Sequence, residues 1–517
     1  MMFDPLQSKL DKSTFLHNNQ MPWLIMVITM ILTVSYFFYL LFFVPIGNTT
    51  VFIMLMIGEV FHVWQVGSYL YTIRRTEVEH DFDHTITSHV DIFITVAGEP
   101  VDLVRQTAIA AKAMIYSSFD VYLLNDGYVA GKENWRDIEL LAQELGIHCI
   151  TRTIPGGAKA GNINHALSKT QSEFFVVFDA DHVPHQNFLE KTMGYFTDSS
   201  IAFVQTPQFY KNASTNRVTR GSWSQQEIFF GAICKGKNDD NAVFMCGTNM
   251  VVRRNAIEQV GGMCEFNIAE DFLTSLFIHQ KGWKSVYVPQ ILAEGLAPED
   301  FLSYYKQQFR WARGSLEVIF RYNPLFMSGM TWKQKFHYLA SASYYLSGFI
   351  VLLNMMLPLL FLYFGYVPIT LSTMALATLF LPYIFMVMYM LQRTTNYTYT
   401  FEALAFSIGS FVIHIKALFA VIINKKSTFN VTSKTQVSGN FLYLNTWHLV
   451  YIVLFVCGFV ISFYRESLSP SLVTNVSWVL LNIVVFTPFI RASLPDLRPV
   501  EPVQNFTGES SISIDKY

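Results

Sequence analysis

Long apolar runs crowd the two ends of the 517-residue chain and leave its middle free of them. Residues 22–44, "PWLIMVITMILTVSYFFYLLFFV", carry no charge, and 50–73 follow after a short loop; each is long enough to cross a bilayer. The first is too long for a signal peptide and far from any small-residue cleavage site. Four more runs lie at 338–366, 369–391, 446–464 and 473–491. A further stretch, 402–424, is interrupted by Glu402, His414 and Lys416. If it crossed, Lys425, Lys426 and Lys434 would fall on the outer side, so it reads as an amphipathic helix in the cytoplasmic interface. Lys9 and Lys12 precede the first pair, Arg74 and Arg75 follow it, and no cation lies between. That bias predicts six spans, with both termini and the middle of the chain in the cytoplasm.

From about 75 to 335 the pattern is that of a soluble domain. Short β-rich runs, "VDIFITV" (90–96), "FDVYLLND" (119–126), "FFVVFDAD" (174–181), "IAFVQ" (201–205) and "KSVYVP" (284–289), alternate with helical patterns at 101–115, 133–145 and 186–197. Strands apolar on both faces and separated by helices predict a mostly parallel, doubly wound α/β sheet. Such sheets bind ligands at the carboxyl ends of their strands. Three of these strands end in Asp or in Asp-containing turns.

Composition supports the division: charged residues are only 14% and aromatics 16%, so part of the chain lives in lipid. A net charge of −2 shows no basic excess for nucleic acid. Cys149, Cys234, Cys246, Cys264 and Cys457 have neither disulfide nor zinc spacing and read as isolated thiols.

The chemistry gathers on short motifs. "DAD" places Asp179 and Asp181 two residues apart on a turn, where both can face one divalent cation that takes oxygen ligands and bridges to a diphosphate. An isolated D-x-D is more often a solvated turn. Here other elements follow in order: Asp126 in "LLNDG" can bind a polar ring edge such as uracil. "AKAGNINHAL" (158–167) brings Lys159 and free backbone N–H groups toward phosphate. Glu270 and Asp271 open a helix in "IAEDFLTSLFIHQKGW", and "QQFRWARGS" offers Arg310 for a pyrophosphate and Trp311 as a flat stacking surface. His165 and His182 sit inside motifs, yet no His-rich set surrounds them, and they read as non-ligands. Glu59 and His62, at i and i+3 in the second span, read either as a polar path lining or as a hydrogen-bonded bundle pair.

The spaced acids D…DxD…ED, followed by Gln307-x-x-Arg310-Trp311 between membrane segments, resemble the processive family 2 glycosyltransferases, most of all the catalytic subunit of bacterial cellulose synthase. "VQTPQFY" (204–210), "CGTNMVVRR" (246–254), "GWKSVY" (282–287) and "FNVTSK" (429–434) add to the likeness, which covers roughly residues 20–495. The resemblance implies a polytopic α-helical membrane protein with an inserted cytoplasmic α/β GT-A domain. Its expected divisions are 1–75 (tail and two spans), 76–335 (transferase domain), 336–495 (four spans with interfacial helix 402–424 and gating loop 427–440) and 496–517 (tail).

It also implies roles. Thr95, Glu99, Asp126, Lys159, Asp179, Gln307 and Arg310 would bind the donor nucleotide, and Asp181 the metal, Mg2+ or Mn2+. Asp271 would be the general base, with Glu270 beside it. Trp311, Cys246 and Gly247 would hold the acceptor, and Phe429, Val431, Thr432 and Lys434 would form the gating loop. The sequence departs from the family in three places. Only Asp126 stands where two acids are usual; Ala269 replaces a hydroxyl before Glu270-Asp271; and Ala97-Gly98 replaces a Tyr-Asn pair. No cyclic-di-GMP-binding PilZ domain is expected.

The expected activity is inverting, processive polymerisation of glucose from UDP-glucose into a cellulose-like, curdlan-like or capsular β-glucan, exported through the spans of a plasma-membrane protein. The expected partners are the UDP-sugar, the growing polysaccharide and the bilayer, with any export partner left open. Two alternatives stand. A synthase using UDP-N-acetylglucosamine fits "FNVTSK" and "VQTPQFY" less well, and a non-processive lipid-linked transferase would not need Trp311 or a gating loop.

Overall fold

The computed structural model describes residues 20–370, 373–424 and 439–495. Its soluble part carries ten strands: β1 (Val90–Val96), β2 (Phe119–Asn125), β3 (His148–Thr151), β4 (Phe174–Asp179), β5 (Val183–Pro184), β6 (Ile201–Gln205), β7 (Phe209–Tyr210), β8 (Met250–Arg253), β9 (Lys284–Tyr287) and β10 (Ala293–Gly295). Seven form one sheet in the order β3-β2-β1-β4-β8-β6-β9, and β5, β10 and β7 form a small second sheet. In the large sheet only β8 runs antiparallel, to both β4 and β6. The five strands expected from the apolar runs are all present. β3 and β8 were not expected, because "HCIT" is mixed in character and "MVVR" is only four residues inside a motif.

Every residue of β1 is buried, which explains its uninterrupted apolar character. Ile92 and Ile94 face one side with Val176 and Phe178, covered by Val104, Ala108 and Ala111 of helix Val101–Lys112. Phe93, Phe175 and Val177 face the other side, covered by Ala160, Ile163 and Ala166 of helix Ala158–Leu167. A sheet sandwiched between helices leaves its strand ends as the surface where polar groups can collect. The expected helix at 186–197 is a short α-turn, Phe188–Thr192, followed by a 3-10 turn, Met193–Thr197.

Six helical stretches of the described residues are long and apolar enough to cross a membrane: Trp23–Phe42, Thr49–Thr72, Trp332–Phe364, Phe401–Ile422, Leu442–Glu466 and Pro470–Ala492. Their surfaces leave large apolar side chains open, among them Trp23, Ile53, Val453 and Leu481, as expected of lipid-facing helices. Five coincide with expected spans, and the expected run 369–391 is a helix over Thr373–Thr394. The sixth, Phe401–Ile422, is the stretch expected to lie in the interface. It bends at Ser410 into helices Phe401–Gly409 and Phe411–Ile422. Its Phe406 and Ile413 pack with Phe301 and Tyr304 of the helix Phe301–Glu317, which ties it to the soluble part.

A charge network anchors the soluble domain to the second span. Arg74 at the end of that span pairs with Asp240 at 2.7 Å, and Lys333 and His337 approach the same carboxylate at 2.9 Å each. Within the bundle, Tyr36 donates to Glu59 at 3.2 Å and His62 lies 3.6 Å from it, so Glu59 has a hydrogen-bonded place among the spans.

Candidate active site

The carboxyl ends of β1, β2 and β4 bring Thr95, Asp126 and Asp179 to one edge, because parallel register sets Thr95 beside Leu124 on one side and Asp179 on the other. The Thr95 hydroxyl donates to Asp179 at 3.3 Å. Asp126, just beyond β2, is 7% exposed and is gripped by Arg152, whose Nε and Nη2 donate to its two oxygens at 2.8 and 2.5 Å. Arg152 also donates to the carbonyls of Gly156 and Ala158. One guanidinium thus fixes both Asp126 and the turn that starts the Lys159 helix. Burial pushes Asp126 above the ordinary carboxylate range, and Arg152 pulls it back only in part.

Lys159 pairs with Asp179 and donates to the Gly247 carbonyl at 2.7 Å. It was expected to face phosphate; its ammonium instead joins β4 to the loop carrying Cys246 and Gly247. Glu99 turns back on its own loop, where it accepts the Ala97 N–H at 2.6 Å.

Asp181 is fully buried, with the Leu296 N–H at 3.3 Å from one oxygen and His182 Nδ1 at 3.4 Å from the other. Donor atoms of Asp179, Asp181 and His182 lie within 4.8 Å of one another. His182 is buried and its Nε2 has no protein partner. The ring fits only because Gly295 has no side chain, since a Cβ there would run into it. Two carboxylates with the imidazole Nδ1 beside them suit a divalent ion, and the nitrogen suits Mn2+ better than Mg2+. His182, read from sequence as a non-ligand, lies within this group.

Glu270 and Asp271 occupy the first turn of helix Glu270–Gln280, where the N-terminal dipole favours acids. Asp271 accepts the Phe272 N–H at 2.7 Å. Burial raises both carboxyls; Glu270 raises Asp271 further and Asp179 raises Glu270, with Lys159 opposing both shifts. Gly247 lies against this base. Its φ of +81° suits glycine, and a Cβ there would sit 3.1 Å from Asp271 Oδ2 and 3.7 Å from Lys159 Nζ. Cys246 donates its N–H to Gln205 at 2.8 Å, and burial holds its thiol far above its usual range. It contributes neutral surface, not a nucleophile.

Helix Phe301–Glu317 closes the cleft. Gly314 meets Ala269 so closely that a Cβ would overlap the alanine methyl. That approach draws Arg310 into the field of Glu270, Asp179 and Asp271, although burial lowers its affinity for its proton. The Gln307 amide donates to the Tyr210 hydroxyl, and Trp311, next to Arg310, is partly exposed. Phe429, Val431, Thr432 and Lys434 lie outside the described residues. Sequence reading missed Arg152, a lone cation after an unrecognised strand, and Thr248, whose hydroxyl accepts the Asp179 N–H at 2.9 Å.

Residues 89–314 match the family described as Glycosyltransferase like family 2, and residues 258–464 the family described as Cellulose synthase. The chain is 30% identical over 464 residues to a protein named Putative cellulose synthase 2 from Komagataeibacter xylinus, covering 85% of this chain and 30% of that one. It is 33% identical over 286 residues to the Cellulose synthase catalytic subunit (UDP-forming) of Xanthomonas axonopodis pv. citri (strain 306), covering 54% and 38%. The chain thus spans about a third of the length of these curated relatives. Among solved structures, a mannosyltransferase from Pyrobaculum calidifontis in complex with GDP-Man and Mn2+ is similar with a TM-score of 0.50 and 15% identity, over 73% of this chain and 100% of that one. At that identity the likeness concerns the fold. The chain therefore carries a family 2 glycosyltransferase domain joined to a cellulose synthase domain.

Proposed function

We propose that this chain is a processive, inverting β-glycosyltransferase that polymerises glucose from UDP-glucose into a β-glucan and passes the product through its own spans. The soluble domain, 76–335, would work on the cytoplasmic side. The observation that carries the reading is the meeting of Asp126, Asp179, Asp181, Asp271 and Arg310 at one edge of the sheet. Lys159 connects the base to the candidate metal group: it pairs with Asp179, and it and Asp271 both lie against Gly247.

Each side chain then has a task. Asp126 and Thr95 meet the uridine. Arg310 faces the diphosphate, where negative charge grows as it leaves, and a fixed cation in a water-poor cleft is most effective there. A divalent ion held by Asp179, Asp181 and His182 would supply further positive charge to the phosphates. Asp271 takes the proton of the acceptor hydroxyl, and a carboxyl raised toward neutrality is a stronger base than an ordinary one. Glu270 sustains that shift, and Lys159 holds Asp179 and Gly247 in register around it. Trp311 offers a ring face to the terminal sugar.

The reading is tested with membranes containing the chain, a panel of labelled UDP-sugars, Mg2+ or Mn2+, and linkage-specific glucanases on the insoluble product. Incorporation from UDP-glucose into a glucanase-sensitive polymer is expected. Incorporation solely from UDP-N-acetylglucosamine refutes the donor assignment, and a product of single-sugar additions refutes processivity.

A further inference from the structure

At the opposite, amino-terminal edge of the sheet a second group of metal-ligating side chains is assembled. Parallel register sets Asp91 of β1 beside Asp120 of β2, and His148 opens β3 beside Tyr122. His89, one residue before β1, completes the group. Its Nε2 lies 3.2 Å from Asp120 Oδ2 and 3.9 Å from Asp91 Oδ1, and His148 Nε2 lies 3.9 Å from Asp120 Oδ1. Donor atoms of His89, Asp91 and Asp120 lie within 4.8 Å of one another.

We propose that His89, Asp91, Asp120 and His148 form a zinc-type site, independent of the catalytic centre, that staples the amino ends of β1, β2 and β3. Ligands 2.0–2.1 Å from a tetrahedral Zn2+ stand about 3.3 Å apart, close to the His89–Asp120 separation. The His89–Asp91 and His148–Asp120 separations close by about half an ångström through movement of the exposed His89 and His148 rings. Two imidazoles with two carboxylates favour Zn2+ over Mg2+ or Ca2+, which prefer oxygen alone.

The ligands are also held from behind, as metal ligands usually are. His89 Nδ1 is hydrogen-bonded with Ser118 Oγ at 2.7 Å, leaving Nε2 toward the two carboxylates. The His148 ring stacks on Tyr122 at 4.8 Å and 22°. Asp91, with its side chain 2% exposed, spends Oδ2 on Arg254 at 3.4 Å and keeps Oδ1 toward His89. β3 is the four-residue edge strand of the sheet. An ion joining it to its neighbours reinforces the place where pairing is weakest. At about 3.3 Å per residue, the four residues from Asp91 to Thr95 along β1 put this site roughly 13 Å from the catalytic edge of the sheet.

The test uses the full chain in detergent, stripped with chelator and kept in excess Mg2+ so that the oxygen-rich catalytic group is occupied. Zn2+ is titrated by calorimetry and bound zinc is counted after desalting. The wild type is expected to retain one equivalent more than His89→Gln and Asp120→Asn, with His148→Gln weakening binding at least tenfold. Zn2+ should raise the melting temperature of the wild type and not that of His89→Gln. Asp181→Asn should keep this equivalent, which separates it from the catalytic group. Equal zinc stoichiometry in the wild type and all three site variants overturns the proposal. If one variant fails to fold, the other two carry the same readout.

Discussion

Arg152→Met removes the guanidinium that organises the nucleotide edge of the cleft while keeping an apolar stem of similar reach. Arg152 and Asp126 are 6% and 7% exposed, so the change strands a buried carboxylate and frees the Gly156 and Ala158 carbonyls. Breaking one side of a buried pair costs about 3–5 kcal/mol. For a domain of this size that lowers the melting temperature by on the order of 10 °C.

Asp126 sets the pH dependence of the loss. Burial already raises its pKa with Arg152 present, and removal of the cation raises it further. A carboxyl whose folded pKa exceeds its unfolded value destabilises the ionised protein above the unfolded pKa, and the deficit fades as pH falls. Thermal unfolding of wild type and Arg152→Met in detergent, followed from about pH 8 to about pH 5, should show a deficit that shrinks toward acid. UDP affinity, measured by titration at the upper pH, should fall at least tenfold. Arg152→Lys should recover part of the stability, since a point charge replaces a fork. A variant that melts like the wild type, or whose deficit is the same at both ends of the range, refutes the clamp.

Three further outcomes are expected. Gly247→Ala forces a residue with a side chain into a left-handed conformation, costing about 1–2 kcal/mol, and presses on Asp271; radiolabel incorporation should fall roughly 100-fold while UDP affinity holds. Because burial and Glu270 raise Asp271, the polymerisation rate should fall on the acid side with an apparent pKa above the ordinary range of about 4, and Glu270→Gln should move that limb to lower pH. His182→Ala should weaken activation by Mn2+ more than by Mg2+, read from metal titrations of the initial rate.

The apolar runs at 90–96, 119–126, 174–181, 201–205 and 284–289 were legible because a strand buried on both faces has no polar position to blur its pattern. β3 and β8 were not, since four residues of mixed character carry no period. Asp126, Asp179, Asp181, Glu270 and Asp271 could be picked out because acids at strand and helix ends stand out against apolar flanks, and Arg310 because it sits in the Gln307-x-x-Arg310-Trp311 motif. Partners could not be. That Lys159 turns to Asp179 and Gly247, that Glu99 binds its own loop and that Arg152 clamps Asp126 depend on how loops far apart in sequence meet. Gly295 shows the same limit: its importance lies in the His182 ring above it, 113 residues earlier in the chain.

Asp271→Asn addresses the central claim most directly, because the amide keeps the shape of the side chain and cannot take a proton. With UDP binding measured by titration and polymer by incorporation from labelled UDP-glucose, the account predicts wild-type nucleotide affinity with polymer synthesis reduced by at least 1000-fold, within the range that a lost general base removes. Polymer formation at the wild-type rate would contradict it.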